Sequence, residues 1–251
     1  MSTGPALPAR VSRASESAIT GSVINSALLA CRALGYGAAR ALRNVTLACA
    51  LVLPGVAAAE PVQVVALGDS LTAGYGLAEG EGFVPQLQEW LKANGSDAVV
   101  ANAGVSGDTT AGGLSRLDWA LAPGADALIV TLGGNDMLRG IDPKATRANL
   151  DAILAKAQEK GLPVLLVGMQ APGNYGPEYK AAFDAAYPEL AASHRVLFAE
   201  SFLGPLIAQA PDAAALAPWL QADGIHPNAD GVKIIVAGLG PKVLELVGQV
   251  K

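Results

Sequence analysis

From residue 60 onward the sequence predicts an α/β fold: an open parallel sheet with helices on both of its faces. Three observations predict it. Short Val- and Leu-rich runs recur along the chain and are nearly continuous rather than alternating, as strands buried on both faces must be. Stretches of helical length and period separate those runs. Gly, Asn, Asp and Ser gather directly behind them, where a strand hands over to a turn.

The strands are predicted at 62–67, 98–101, 127–132, 163–169 and 196–199. A helix over 83–93 sets Phe83, Leu87, Trp90 and Leu91 on one face. A second helix is predicted over 109–121. A third opens at Asp142-Pro143, a capping residue followed by proline in the first helical position, and runs to Lys160 before Gly161 stops it. The last starts after Asn228 and passes through Ile234, Ile235, Leu244 and Leu246, with an interruption expected at Gly240-Pro241. No internal repeat, low-complexity tract or second composition regime follows Glu60, so residues 60–251 read as one domain.

Residues 1–59 read as a leader. Five arginines against Glu16 give this stretch +4, which leaves -9 for the rest of a chain with net charge -5. Nothing between Arg43 and Glu60 is charged. An apolar run from Val45 to Leu53 is broken by Pro54-Gly55 and followed by Ala57-Ala58-Ala59. Basic, apolar, then small-x-small is the order of a secretory signal peptide cut near Ala59, which implies a periplasmic or secreted mature chain. A membrane-spanning helix would need about 20 apolar residues and no internal Pro-Gly. The leader is long, which leaves the translation start open. Both cysteines, Cys31 and Cys49, lie in it, and neither follows a fitting lipid-attachment stretch. A chain cut near Ala59 would hold no cysteine and be indifferent to redox compartment.

With 51% hydrophobic and 16% charged residues over 251 positions, the chain can fill a core and is not a disordered one. The negative net charge, without clustered Lys and Arg, argues against nucleic acid as a partner. A soluble enzyme or small-molecule binder remains.

In open α/β sheets the functional groups collect at the carboxyl ends of the strands. Behind the first strand stands Gly68-Asp69-Ser70-Leu71-Thr72, behind the second Asn102-Ala103-Gly104-Val105-Ser106-Gly107-Asp108, and behind the third Gly133-Gly134-Asn135-Asp136. Asp223-Gly224-Ile225-His226-Pro227 precedes the last helix. A serine nucleophile needs a base, the base an orienting acid, and the developing oxyanion needs donors; these blocks hold every one of those residue types. Singly, each has a plainer reading: a turn or cap serine, turn glycines, an Asn135-Asp136 cap pair, a His226 ring that satisfies a buried carbonyl. Together they fill all the roles at once. Asp69 and Asp108 read as loop-shaping hydrogen-bond acceptors. No cluster has metal-ligand spacing, so no metal is expected.

The four blocks, in this order, resemble the signature blocks of the SGNH/GDSL hydrolases, and the resemblance runs from Val62 to the last helix. Leu138-Arg139-Gly140 and Ala171-Pro172-Gly173-Asn174-Tyr175-Gly176 are similar to the bacterial branch with acyl-CoA thioesterase I, lysophospholipase and arylesterase activities. The resemblance implies a flavodoxin-like three-layer α/β/α sandwich around a parallel sheet of about five strands. It also implies an exported ester hydrolase without a cofactor, acting on a small-molecule ester, thioester or lysolipid. Ser70 would be the nucleophile, His226 the general base and Asp223 the residue that orients it. The oxyanion hole would comprise the N–H groups of Ser70 and Gly104 and the Asn135 amide. The residue chemistry agrees: a neutral amide stabilises a negative oxygen without capturing the serine proton, and Asp223 and His226 can meet within one turn of loop. Leu138, Tyr175, Tyr179 and Trp219 are the candidates for an apolar acyl slot.

Two rivals stand beside this reading. An SGNH carbohydrate acetylesterase would share the triad but carry a polar, aromatic-lined groove. A non-catalytic nucleotide or flavin binder would use the same kind of sheet. However, Gly68, Gly74 and Gly76 do not make G-x-G-x-x-G, and no phosphate loop of the G-x-x-x-x-G-K-[ST] type is present. The absence of a G-x-S-x-G elbow sets the α/β-hydrolase fold aside. Acyl length, leaving group and oligomeric state stay open.

Overall fold

The computed structural model describes residues 60–212 and 214–250. The signal peptide expected within residues 1–59 lies outside the described residues. Five parallel strands make the sheet: β1 (Gln63–Gly68), β2 (Val99–Gly104), β3 (Ala127–Thr131), β4 (Val164–Val167) and β5 (Leu197–Ala199), in the spatial order β2-β1-β3-β4-β5. The chain leaves β1 for the edge at β2, then crosses back to β3 on the other side. The order therefore reverses between β1 and β3, and a crevice opens where their carboxyl ends send connections in opposite directions. Every residue of β3 and β4 is buried, which is why their sequences are unbroken apolar runs.

The helices are α1 (Ser70–Ala73), α2 (Phe83–Ala93), α3 (Thr110–Leu121), α4 (Gly134–Leu138), α5 (Pro143–Glu159), α6 (Pro177–His194), α7 (Gly204–Ile207) and α8 (Ala229–Val247). Two of them, α2 and α8, pack together on one face of the sheet, while α3, α5 and α6 cover the other, completing three layers. Caps mark the starts: the Asp142 carboxylate accepts the Lys144 N–H at 2.9 Å, and the Asn228 side chain accepts that of Gly231 at 3.0 Å. Among the described residues no helix is long and apolar enough to cross a membrane.

The structure differs from the sequence expectation in three places. The last helix is not interrupted: α8 runs through Gly240-Pro241. Proline removes one backbone hydrogen bond there, but Val236, Leu239, Val243 and Leu246 are buried on both sides of it, and the Trp90 ring fills the space where a Gly240 side chain would stand. Strand β2 is longer than expected, so residues 102–104 belong to the sheet, with Gly104 in register with Gly68. Helix α6 was not expected at all, since Pro177 and Pro188 obscure it. What holds it is an aromatic column at a spacing of four: Tyr179 stacks on Phe183 at 6.0 Å between ring centres, and Phe183 meets Tyr187 edge-on at 5.6 Å.

Candidate active site

Ser70 is the first residue of α1, directly behind β1 at the crevice. Asp69 caps that turn, its Oδ1 accepting the Leu71 N–H at 3.0 Å. The N–H groups of a first helical turn have no partner inside the helix and can serve a ligand oxygen. Asn135, in α4 behind β3, faces Ser70 across the switch point. Its Nδ2 donates to Asp108 O at 3.0 Å and to Asp69 Oδ2 at 3.3 Å. Both acceptors are oxygens, which settles the orientation of the amide. Gly133 enables this approach: its φ is +115°, and a side chain there would stand 1.9 Å from the Tyr187 hydroxyl, which donates to Leu132 O. Asp136 is fully buried and accepts from Thr110 N and from the hydroxyls of Thr110 and Thr146, tying α4 to α3 and α5.

The opposite wall is the loop ahead of α8. Gln221 N–H donates to His226 O at 2.8 Å, and the Gln221 side chain donates to Tyr75 O and Pro227 O, which closes the loop on itself and against the Ser70 connection. Asp223 Oδ1 accepts the N–H groups of Ile225 and His226 at 2.9 and 3.0 Å, while its Oδ2 lies 2.6 Å from His226 Nδ1. His226 Nε2 lies 2.8 Å from Ser70 Oγ. A carboxylate only accepts, so Nδ1 carries the ring proton and Nε2 turns its lone pair to the serine hydroxyl. The Tyr75 ring, 4.8 Å from the imidazole, covers it.

Two nearby carboxyls are shifted. Donation from the His226 and Ile225 N–H groups and then from the His226 ring pulls Asp223 down to about 2. Burial pushes Asp69 up to about 6, against the Leu71 N–H, the charge of His226 and the Asn135 amide.

Ser70, Asn135 and His226 open on one cleft of about 220 Å³, whose apolar walls are Leu71, Tyr75, Met137, Leu138, Met169, Leu203 and Ile225. A larger hollow of about 620 Å³ lies at the amino ends of the strands, around Asp126, Lys160 and Gln249, and holds none of these groups. Of the four candidates for the acyl slot, the structure brings Leu138 to the cleft. Tyr175 instead donates from its hydroxyl to Leu138 O at 3.3 Å, and Tyr179 to Ile141 O at 3.0 Å, both behind the wall. Trp219 ends a 3₁₀ turn, Ala214–Trp219, and its carbonyl accepts the Asn228 N–H at 2.9 Å.

Gly104, expected among the oxyanion donors, stands elsewhere. Its N–H donates to Asn102 Oδ1 at 2.9 Å, and an added Cβ would stand 2.3 Å from Ala73 N, so this glycine lets α1 pack on β2 and faces away from the cleft. Gly107, three residues on, lines the cleft in a φ of +85°. The block holds two glycines, and only the extension of β2 to Gly104 leaves the second, in the Ser106-Gly107-Asp108 turn, at the cleft. The cleft side chains Tyr75, Met137, Met169, Leu203 and Ile225 were also missed. They come from five separate connections, and no sequence spacing relates them. Among the described residues no group of three or more His, Cys, Asp or Glu could hold a metal ion.

The chain is similar to known proteins in sequence and in fold. The family model described as GDSL-like lipase/acylhydrolase matches residues 66–234. The esterase TesA of Pseudomonas aeruginosa is 43% identical over 178 residues, 70% of this chain and 84% of that protein. A protein of Escherichia coli named thioesterase 1/protease 1/lysophospholipase L1 is 36% identical over 201 residues, 79% of this chain and 91% of its own. The crystal structure of AlinE4, an SGNH-hydrolase family esterase, is 41% identical with a TM-score of 0.61, covering 74% of this chain and 96% of that one. A family model that spans most of the folded domain, and relatives at 36–43% identity matched over most of their own length, agree with one another: the chain belongs to the GDSL-like lipase/acylhydrolase family of ester hydrolases.

Proposed function

We propose that this hydrolase cleaves esters or thioesters of apolar acyl groups through an acyl-enzyme on Ser70. The observation that carries the reading is the unbroken hydrogen-bond chain Ser70–His226–Asp223. His226 Nε2 takes the Ser70 proton as the Oγ–carbon bond forms and the carbonyl oxygen becomes an anion. The N–H groups of Ser70 and Gly107 hold that anion together with the Asn135 amide, which gives up its long 3.3 Å bond to Asp69 Oδ2 to do so. His226 then returns the proton to the leaving oxygen or sulfur as its bond to carbon breaks, and water repeats the sequence to release the acid. Asp223 holds the imidazole in the tautomer this requires.

The apolar cleft walls support an alkyl or aryl acyl group over a sugar acetate, which would call for a polar groove. Relatives named esterase, thioesterase and lysophospholipase add thioesters and lysolipids to the substrates worth testing. The leader sequence supports export, with residues 60–251 as one mature periplasmic or secreted domain.

A fluorophosphonate probe should label a single residue of the purified chain, Ser70, and labelling that survives Ser70→Ala sinks the reading. Aryl esters, acyl thioesters and lysophospholipids of graded chain length then rank the substrates. N-terminal sequencing of exported protein should begin at or near Glu60; an intact Met1 in the cell envelope contradicts export.

A further inference from the structure

The turn that carries Gly107 belongs to no strand or helix, and arginines hold it. From inside, Arg116 on α3 aims its guanidinium at three oxygens: Nε donates to Asp108 Oδ2 at 2.6 Å, Nη1 to Ala103 O at 2.8 Å and Nη2 to Gly68 O at 2.9 Å. Its side chain is only 17% exposed. From the solvent side, Arg139 donates to Gly107 O at 2.8 Å. Gly68 and Ala103 lie at the carboxyl ends of β1 and β2, the two strands whose exits lead to Ser70 and Gly107. Asp108 is in turn the residue whose carbonyl accepts the Asn135 amide. One cation therefore touches the nucleophile's strand, the Gly107 turn and the acceptor that aims Asn135, yet Arg116 itself does not line the cleft.

We propose that Arg116 is a positioning residue of the oxyanion hole, its rigid fork setting the spacing between the Ser70, Gly107 and Asn135 donors. The proposal rests on the acyl-enzyme reading above. A guanidinium suits this task because its N–H groups are fixed in one plane and can serve three acceptors at once; an ammonium keeps the charge but not the geometry. Without the fork, the Asp108 carboxylate and the Gly68 and Ala103 carbonyls each lose a charged donor, Gly68 O keeping only the Val105 N–H at 3.0 Å, and the turn is free to shift. The oxyanion exists only in the transition state and the tetrahedral intermediate, so displaced donors show in kcat while substrate binding is spared.

The test uses Arg116→Lys and Arg116→Met, with circular dichroism and melting temperature as checks of folding. Turnover of an aryl butyrate is measured per fluorophosphonate-titrated site. The expected result is a fall in kcat of about 10–100-fold with KM within about twofold. The rate of fluorophosphonate labelling should fall in parallel, because phosphonylation uses the same donors. In an Asn135→Ala background, where the hole is already broken, Arg116→Lys should cost clearly less than it does alone. Unchanged kcat per titrated site with only a lower melting temperature would overturn the proposal, as would fully multiplicative effects of Arg116→Lys and Asn135→Ala. If Arg116→Met does not fold, Arg116→Lys carries the same comparison. Hydrolysis retained in Ser70→Ala would bring down the acyl-enzyme reading instead, and this proposal with it.

Discussion

Asp69 and Asp223 flank the same serine–histidine pair and are pushed in opposite directions. Asp69, 2% exposed behind Ser70, is pushed up to about 6 because the buried surroundings disfavour its charge. Asp223, on the open loop ahead of α8, is pulled down to about 2 because backbone N–H groups and the imidazole donate to it. The Ser70 half of the site is built into the sheet and takes on its dryness. The His226 half is a loop that makes its own environment from its own backbone. The first is held from within the buried fold and the second by short-range hydrogen bonds of one exposed loop, so the two halves should respond to different perturbations.

The largest effect is expected from the loop. His226→Ala should lower kcat by about 10⁴-fold or more, because Ser70 then keeps its proton. A loss below tenfold in steady-state ester hydrolysis would mean that another group serves as the base. On the sheet side, Asn135→Ala should lower kcat by about 10²–10³-fold with little change in KM. A change confined to KM would make Asn135 a substrate-binding residue.

The carboxylates come next, and their signs differ. Asp69 has a folded value near 6 against an ordinary 3.8. Its contribution to stability is therefore fully present below 3.8 and is lost as the pH rises through about 6, on the order of 3 kcal/mol across that window. For Asp223 the contribution is present above 3.8 and is lost as the pH falls through about 2. Urea unfolding at stepped pH should show Asp69→Asn flattening the fall above 3.8 and Asp223→Asn weakening the acid limb. An Asp69→Asn curve that still falls like the wild type between those values would show that burial does not penalise its charge.

The smallest effect separates cleft wall from support. Leu138→Ala should raise KM for hexanoyl esters by about 5–10-fold relative to acetyl esters, in keeping with about 1 kcal/mol of lost apolar contact. Trp219→Phe should leave the chain-length profile where it is. Equal shifts in both variants would return Trp219 to the acyl slot.

Much of the sheet was legible because strands buried on both faces need unbroken apolar runs, and β3 and β4 have them. The blocks behind the strands were legible because turn chemistry and reaction chemistry both favour Ser, Gly, Asn and Asp. Helix α6 was hidden because single-residue rules read Pro177 and Pro188 as breaks, whereas the column of Tyr179, Phe183 and Tyr187 acts only once Leu132 and Gly133 stand beside it. The same column explains why Tyr179, plausible as a cleft residue by type, serves behind the wall.

The layered α/β architecture and the residue types of the reaction can be read from the chain alone. Periodicity and turn preference are local properties, and the Asp223–Ile225–His226 turn is local as well: its carboxylate meets its own N–H groups and ring within three residues. Which glycine faces the cleft was decided only in three dimensions. Gly104 and Gly107 share one block, but β2 pairs with β1 as far as Gly104, α1 settles on that glycine, and the Gly107 turn is left to face Ser70. The grip of Arg116 on two strand ends has the same origin. Its acceptors lie 48, 13 and 8 residues away along the chain, and only the closing of the sheet makes them neighbours.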